Sequence, residues 1–200
     1  HGGPRDLAAL AIGLDGAAII VASVRMVLAS GLATTDHPDD LIVFLDQIYN
    51  PTPLASKLKP ALADDLPLVA RDGGFVRQGY DPALDKLRGL RDESRRLIAA
   101  LQNRYSEETE IASLKIKYNN VLGYHLEVRK IHESKLFNNQ LFIHRQSTAQ
   151  ASRFTTTELA ELEVKLLEAG KNSLEMELRI FKELVNECLD QSENLSLIHI

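Results

Sequence analysis

The spacing of apolar residues divides the 200-residue chain into helical arms around a short segment with a different period. From Pro82 to about Glu108, Leu84, Leu87, Leu90, Leu97, Leu101 and Tyr105 recur three, four or seven positions apart. This is the stripe of an amphipathic helix of about 25 residues. Asp81-Pro82 starts it well, with an aspartate able to cap and a proline at the first helical position. A second helix is predicted from Thr155 or Thr156 to roughly Asp190, and Thr155 with Glu158 fits the S/T-x-x-E capping box. Its apolar residues fall on two neighbouring seams: Leu167, Leu174, Leu178, Phe181, Val185 and Cys188, and Leu159, Leu162, Leu166 and Ala169. At about 1.5 Å per residue such a helix spans on the order of 50 Å. That length implies coiled-coil packing or a lever-like arm.

Between these arms the period changes to two. Leu114–Tyr118 and Tyr124–Lys130 alternate apolar with polar residues, residues 119–123 make a hairpin connection, and Leu141–Arg145 supplies a third strand. Residues 4–70 read as short helices punctuated by Gly13, Gly16, Gly31, Pro38, Pro51, Pro53, Pro60 and Pro67. The clearest pieces there are 39–48 and 52–62, and Gly73-Gly74 marks a turn. The apolar stretch 7–32 is broken by Asp15 and Arg25 and is expected to be a packed helix pair, not a membrane span. The predicted fold is therefore mainly α. A helical core carries two long antiparallel lever helices, and these hold a small inserted β-rich unit away from it.

Charge sharpens this division. Residues 111–153 hold seven basic residues (Lys115, Lys117, Arg129, Lys130, Lys135, Arg145, Arg153) against Glu127 and Glu133, a net +5. The whole chain is −5, so the remainder is −10. A basic, strand-like island between acidic helical arms points one face at a polyanion, while the overall balance excludes a protein that coats nucleic acid with its whole surface. One cysteine, Cys188, excludes an internal disulfide framework and suits a reducing cytoplasm. His125, His132, His144 and Glu133 match no metal-ligand spacing and read as surface or strand residues. No nucleophile–base constellation suggests a stand-alone hydrolase.

Several runs carry a resemblance. IASLKIKYNNVLGYHLEV resembles the signature I-x-x-L-K-V-x-Y-N-x-V-x-G-Y-x-I-E-V of the bacterial MutS mismatch-repair family, and FIHRQSTAQASRFTTTELAELEVKLLEA is similar to that family's Y-I-R-R-Q-T-L-x-N-A-E-R-F-T-T-x-E-L-x-E-L-E-x-K-I. GGPRDLAAL and DGGFVRQGYDPALDKLRGLRDES match it in order and spacing, and the forms around Arg145 and Arg153 resemble alphaproteobacterial members. The resemblance implies a core and outgoing lever over 1–110, a clamp over 111–153, a returning lever over 154–192, and a tail, 193–200, that is frayed or foreign. With no initiating methionine at its start, the chain is expected to be a piece of a longer protein.

Carried over by position, the resemblance assigns backbone contact with double-stranded DNA to Arg145, Gln146, Thr148, Gln150 and Arg153, with Lys115 and Lys117 beside them. Ala149 and Gln150 replace the family's frequent Lys-Asn, which removes one cation but keeps a hydrogen-bond donor. No G-x-x-x-x-G-K-[ST] run occurs in these residues, and the resemblance does not extend to the family's N-terminal domain, which carries its Phe-x-Glu mismatch-reading motif. The segment itself is thus expected to be no enzyme and to need no cofactor. By resemblance the longer protein is a cytoplasmic, DNA-dependent ATPase using ATP and Mg, a homodimer, and a partner of a MutL-like protein, with no membrane role. From charge and periodicity alone a second class stays open: a coiled-coil interaction module whose basic β tip binds an acidic protein.

Overall fold

A computed structural model describes residues 2–30, 38–47 and 52–191. Among the described residues six α-helices and four strands follow in the order α1 (Pro4–Ala29), α2 (Pro38–Gln47), α3 (Thr52–Ala61), α4 (Pro82–Glu108), β1 (Lys115–Asn119), β2 (Gly123–Arg129), α5 (Glu133–Phe137), β3 (Ile143–Ser147), β4 (Ala151–Thr155) and α6 (Thr157–Asp190). The fold is mainly α with one small antiparallel sheet inserted between two long helices, as the periodicity predicts. The chain divides into two compact units, 83–173 and a second comprising 1–82 with 174–200. The predicted tail, 193–200, and Gly31, Ile48 and Pro51 lie outside the described residues.

In the unit formed by 1–82 and 174–200, the predicted pair of short helices is instead a single 26-residue helix, α1. Glycine lowers helix propensity by about 1 kcal/mol relative to alanine, whereas only proline removes a backbone bond and clashes with the preceding turn. No proline follows Pro4 before Pro38, so the helix runs through Gly13 and Gly16. Pro4 takes the first helical position, and the Gly3 N–H donates to Asp6 Oδ2 at 2.6 Å. By length and composition α1 is apolar enough to cross a bilayer, but Leu7, Ala11 and Leu14, at helical spacing, are buried where the helix packs on α3. Lys59 of α3 pairs with Asp15 at 2.9 Å. Beyond α3, the Ala63 N–H donates to Phe75 O and the Arg77 N–H to Ala61 O, both at 2.8 Å. Gly73 and Gly74 turn the chain at positive φ, and the buried Glu177 carboxylate of α6 accepts the N–H groups of Gly74 (2.6 Å) and Phe75 (3.2 Å). Phe75 meets Phe181 edge to face, with ring centroids 5.6 Å apart.

Residues 83–173 have their own core. Ile98, Leu101 and Tyr105 of α4 and Leu159, Leu162 and Leu166 of α6 cluster with Leu126, Val128 and Phe154 of the sheet and Leu136 of α5. Two details of the predicted helices change. Leu90 and Leu97 are exposed on α4, where Ser94 and Ile98 are buried. On α6, Leu167 and Leu178 are exposed, and the buried stripe passes instead from Leu159, Leu162, Leu166 and Ala169 through Ser173, Glu177, Ile180 and Leu184. Two of these buried polar residues have their oxygens satisfied nearby: the Ser94 hydroxyl donates to Leu90 O at 2.8 Å, and Glu177 accepts the amides just described.

The sheet order is β1-β2-β4-β3, antiparallel throughout. The third strand lies two residues beyond its predicted place, and β4 was not expected. It occupies the last three residues of the predicted clamp and the first two of the predicted returning lever. That shift also corrects the cap. Thr155 ends the strand, so the Thr155–Glu158 box does not form; Thr156 Oγ1 accepts the Leu159 N–H at 3.1 Å. The Thr156 hydroxyl also lies 3.0 Å from that of Tyr105, while Glu158 pairs with Arg104, so these contacts join the sheet-proximal ends of α4 and α6.

The hairpin between β1 and β2 turns on Gly123, whose φ is +69°. Asn119 Oδ1 accepts the N–H groups of Val121 and Leu122, and Glu163 Oε1 of α6 accepts the Tyr124 N–H at 3.0 Å. A Cβ at Gly123 would fall on the Glu163 carboxylate. Gly123→Val therefore combines left-handed strain with displacement of Glu163, and should lower stability by about 2–3 kcal/mol. Urea unfolding of the 200-residue chain, followed by circular dichroism, checks this; a loss below about 0.5 kcal/mol would contradict it.

Candidate nucleic-acid interface

Strand alternation gives the sheet two unlike faces. Ile116, Tyr124, Leu126, Val128 and Phe154 face the helices, and the opposite parity carries the polar residues, exposed or half-buried apart from the buried His125. The register then aligns one residue from each strand. In register Lys115 lies opposite Glu127, Glu127 opposite Arg153, and Arg153 opposite Gln146, so Lys115, Glu127, Arg153 and Gln146 form a row across β1, β2, β4 and β3. Lys117, two positions along β1, reaches diagonally to Glu127.

Hydrogen bonds bind the centre of this row together. Lys117 Nζ donates to Glu127 Oε1 at 2.6 Å, Arg153 Nε to Glu127 Oε2 at 3.1 Å, and Arg153 NH1 to Gln146 Oε1 at 2.7 Å. The hydrogen bond from Lys117, joined by that from Arg153, holds the Glu127 carboxyl below its ordinary pKa. Around this centre lie cations of a different kind. Among the described residues, Lys115, Arg129 and Arg145 are exposed and have no acidic partner. Arg145 falls at a bulge between His144 and Gln146, where it has no cross-strand partner and is exposed.

The remaining predicted contact residues occupy the β3–β4 turn. The Thr148 hydroxyl donates to Ala151 O at 3.0 Å and accepts the Ala151 N–H at 3.1 Å, so it closes the turn and is committed there. The Gln150 side chain is exposed, and its carbonyl accepts the Lys130 N–H at 3.2 Å. The structure thus brings Lys115, Lys117, Gln146 and Arg153 onto one face, and Arg145, Thr148 and Gln150 onto the adjoining edge strand and turn. Glu127 and Arg129 were missing from the predicted set. Their signal was the charge at alternate positions of β2, which has no meaning until the register with β1 and β4 is known.

The histidines take other places. His125 is a strand residue of β2 and is buried, with Nδ1 2.9 Å from Gly123 O. His144 is held by Ser147 at 3.0 Å and lies among Phe137 and Phe154. Glu133 is bound by Lys130 at 2.8 Å and by Ser152, which lowers its pKa. Among the described residues no three of His, Cys, Asp and Glu gather as metal ligands would. Burial raises the pKa of Cys188, which leaves it a poor nucleophile.

Because the folded carboxyl of Glu127 titrates below its unfolded value of about 4.3, its contribution is fully present above that pH and is lost as pH falls through the lowered folded pKa. Glu127→Gln should therefore cost about 1 kcal/mol at pH 7, with the difference from wild type closing on the acid side of pH 4. Paired urea melts at pH 7 and pH 3 measure both values. An equal gap at the two pH values would show that the ion pairs contribute nothing.

Residues 79–172 match the family model for MutS family domain IV. This range covers the sheet, all of α4, the first part of α6 (157–172) and every residue of the outward row. Over nearly its full length the chain is also similar to proteins named DNA mismatch repair protein MutS. It is 46% identical to that of Bartonella tribocorum over 96% of the chain, 46% identical to that of Bartonella henselae over 96%, and 46% identical to that of Nitrobacter hamburgensis over 98%. The chain spans about a fifth of the length of these relatives, 21% in each case. Motifs, sheet insertion and similarity agree: the chain belongs to the MutS family, and residues 79–172 are its domain IV.

Proposed function

We propose that this chain is the clamp-and-lever part of a mismatch-repair ATPase, and that the outward face of its sheet binds the backbone of double-stranded DNA without reading sequence. The observation that carries the reading is the row Lys115–Glu127–Arg153–Gln146, flanked by the unpaired cations Arg129 and Arg145. Lysine and arginine at this density neutralise phosphates and release counterions, and Gln146 and Gln150 add amide donors for phosphate oxygens. The face presents no row of aromatic rings, so a duplex backbone suits it better than stacked single-stranded bases.

Under this reading 111–153 is the clamp, 1–110 contains the core and outgoing lever, and 154–192 is the returning lever. The longer protein, by its family, is a cytoplasmic homodimer that hydrolyses ATP with Mg, recognises mismatches elsewhere in its sequence and engages a MutL-like partner. Phosphate contact at the sheet favours one arrangement of the levers, and the helices carry that bias onward.

A salt titration of binding to homoduplex and mismatched DNA tests the proposal. Equal binding to both is expected, with log K falling linearly against log salt. Arg145→Ala or Lys115→Ala should reduce that slope by about one unit. Marked preference for the mismatch would contradict a backbone-only contact. Failure to bind duplex at low salt, together with capture of an acidic protein by the same face, would transfer the assignment to a protein-interaction module.

A further inference from the structure

The outward face contains its own anion. Glu127 occupies the centre of the cross-strand row, and each carboxylate oxygen is taken by a different cation, Oε1 by Lys117 and Oε2 by Arg153. Two oxygens on one negatively charged group, presented to a lysine and an arginine, reproduce the chemistry of a backbone phosphate. The side chains differ in freedom: Lys117 is 54% exposed, Arg153 26% and Glu127 20%. Lys117 can therefore swing toward an incoming phosphate, whereas Glu127 stays fixed in the row. Arg153 is held further by Gln146. Lys115, Arg129 and Arg145 have no such competitor among the described residues.

We infer that Glu127 is an internal competitor of DNA phosphate, which ties up Lys117 and Arg153 and so limits how tightly the clamp face holds DNA. The inference rests on the phosphate-contact reading above and divides its cations into two classes. Lys115, Arg129 and Arg145 meet phosphate directly, while Lys117 and Arg153 do so only when released from Glu127. A clamp that must let go of DNA gains from this arrangement, because each released phosphate is replaced at once by a carboxylate already in place.

The two classes separate in a double-mutant cycle on the 200-residue chain, read as the slope of log K against log salt for a homoduplex. Glu127→Gln preserves shape and should raise low-salt affinity about tenfold and steepen the slope by one to two units, since each added phosphate contact contributes about 0.9. Lys117→Met should change the slope by less than about half a unit in the wild-type background, but by about one unit in the Glu127→Gln background. Arg145→Ala should cost about one unit in both and serves as the control for folded, binding-competent protein. An unchanged slope in Glu127→Gln, or a full unit lost from Lys117→Met in the wild type, would overturn the inference while leaving the phosphate-contact reading intact. No salt-dependent binding by either wild type or Glu127→Gln would overturn both.

Discussion

Burial of Leu126 against Phe154 is the contact on which the basic face depends. These two residues are cross-strand partners at the centre of the sheet and both are fully buried, packed among the side chains of α4, α5 and α6. Side chains alternate along a strand, so a slip of one residue would turn the entire charged set inward and the apolar set outward. The cost of exposing Leu126 and Phe154, roughly 2–3 kcal/mol each by transfer, forbids that slip. An apolar contact thus determines which charges meet on the opposite face. Glu127 and Arg153 are neighbours because Leu126 and Phe154 are.

The same sheet solves its edge problems differently on its two sides. Along β1, the Ile116 N–H donates to Gln102 Oε1 of α4 at 2.9 Å, so a helix side chain takes up an amide the sheet leaves open. Along β3, every residue is exposed and the bulge at Arg145 distorts the edge. Charge and irregularity discourage pairing with another strand there. The protected edge adjoins the helices, and the irregular edge presents the unpaired arginine. Stability and surface chemistry are thereby assigned to opposite sides of four short strands.

Much of this was legible in the sequence, and the exceptions have physical causes. The long helices and the first hairpin announce themselves through local periodicity, which needs no knowledge of partners. Strand β4 does not, because ASRFT contains one large apolar residue, Phe154, and its Thr155 resembles a helix cap. The unity of α1 was hidden by two glycines that weaken a helix without ending it. Glu177 is buried because two loop amides converge on it from about a hundred residues away, and no apolar pattern reports such a contact. The cations of the site were visible as a charge excess. Their division into paired and unpaired was not, since Glu127 reaches Lys117 and Arg153 across 10 and 26 residues of sequence and only strand register brings them together.

Strand β4 ends at Thr155 and α6 begins at Thr157, leaving Thr156 as the sole joint. Its hydroxyl is fastened both to the first turn of α6 and to Tyr105 of α4. A crank with so short an elbow has no slack: tugging the strand at Arg153, three residues upstream, twists the helix root instead of stretching a loop. Sheet and helix are machined from one piece of backbone.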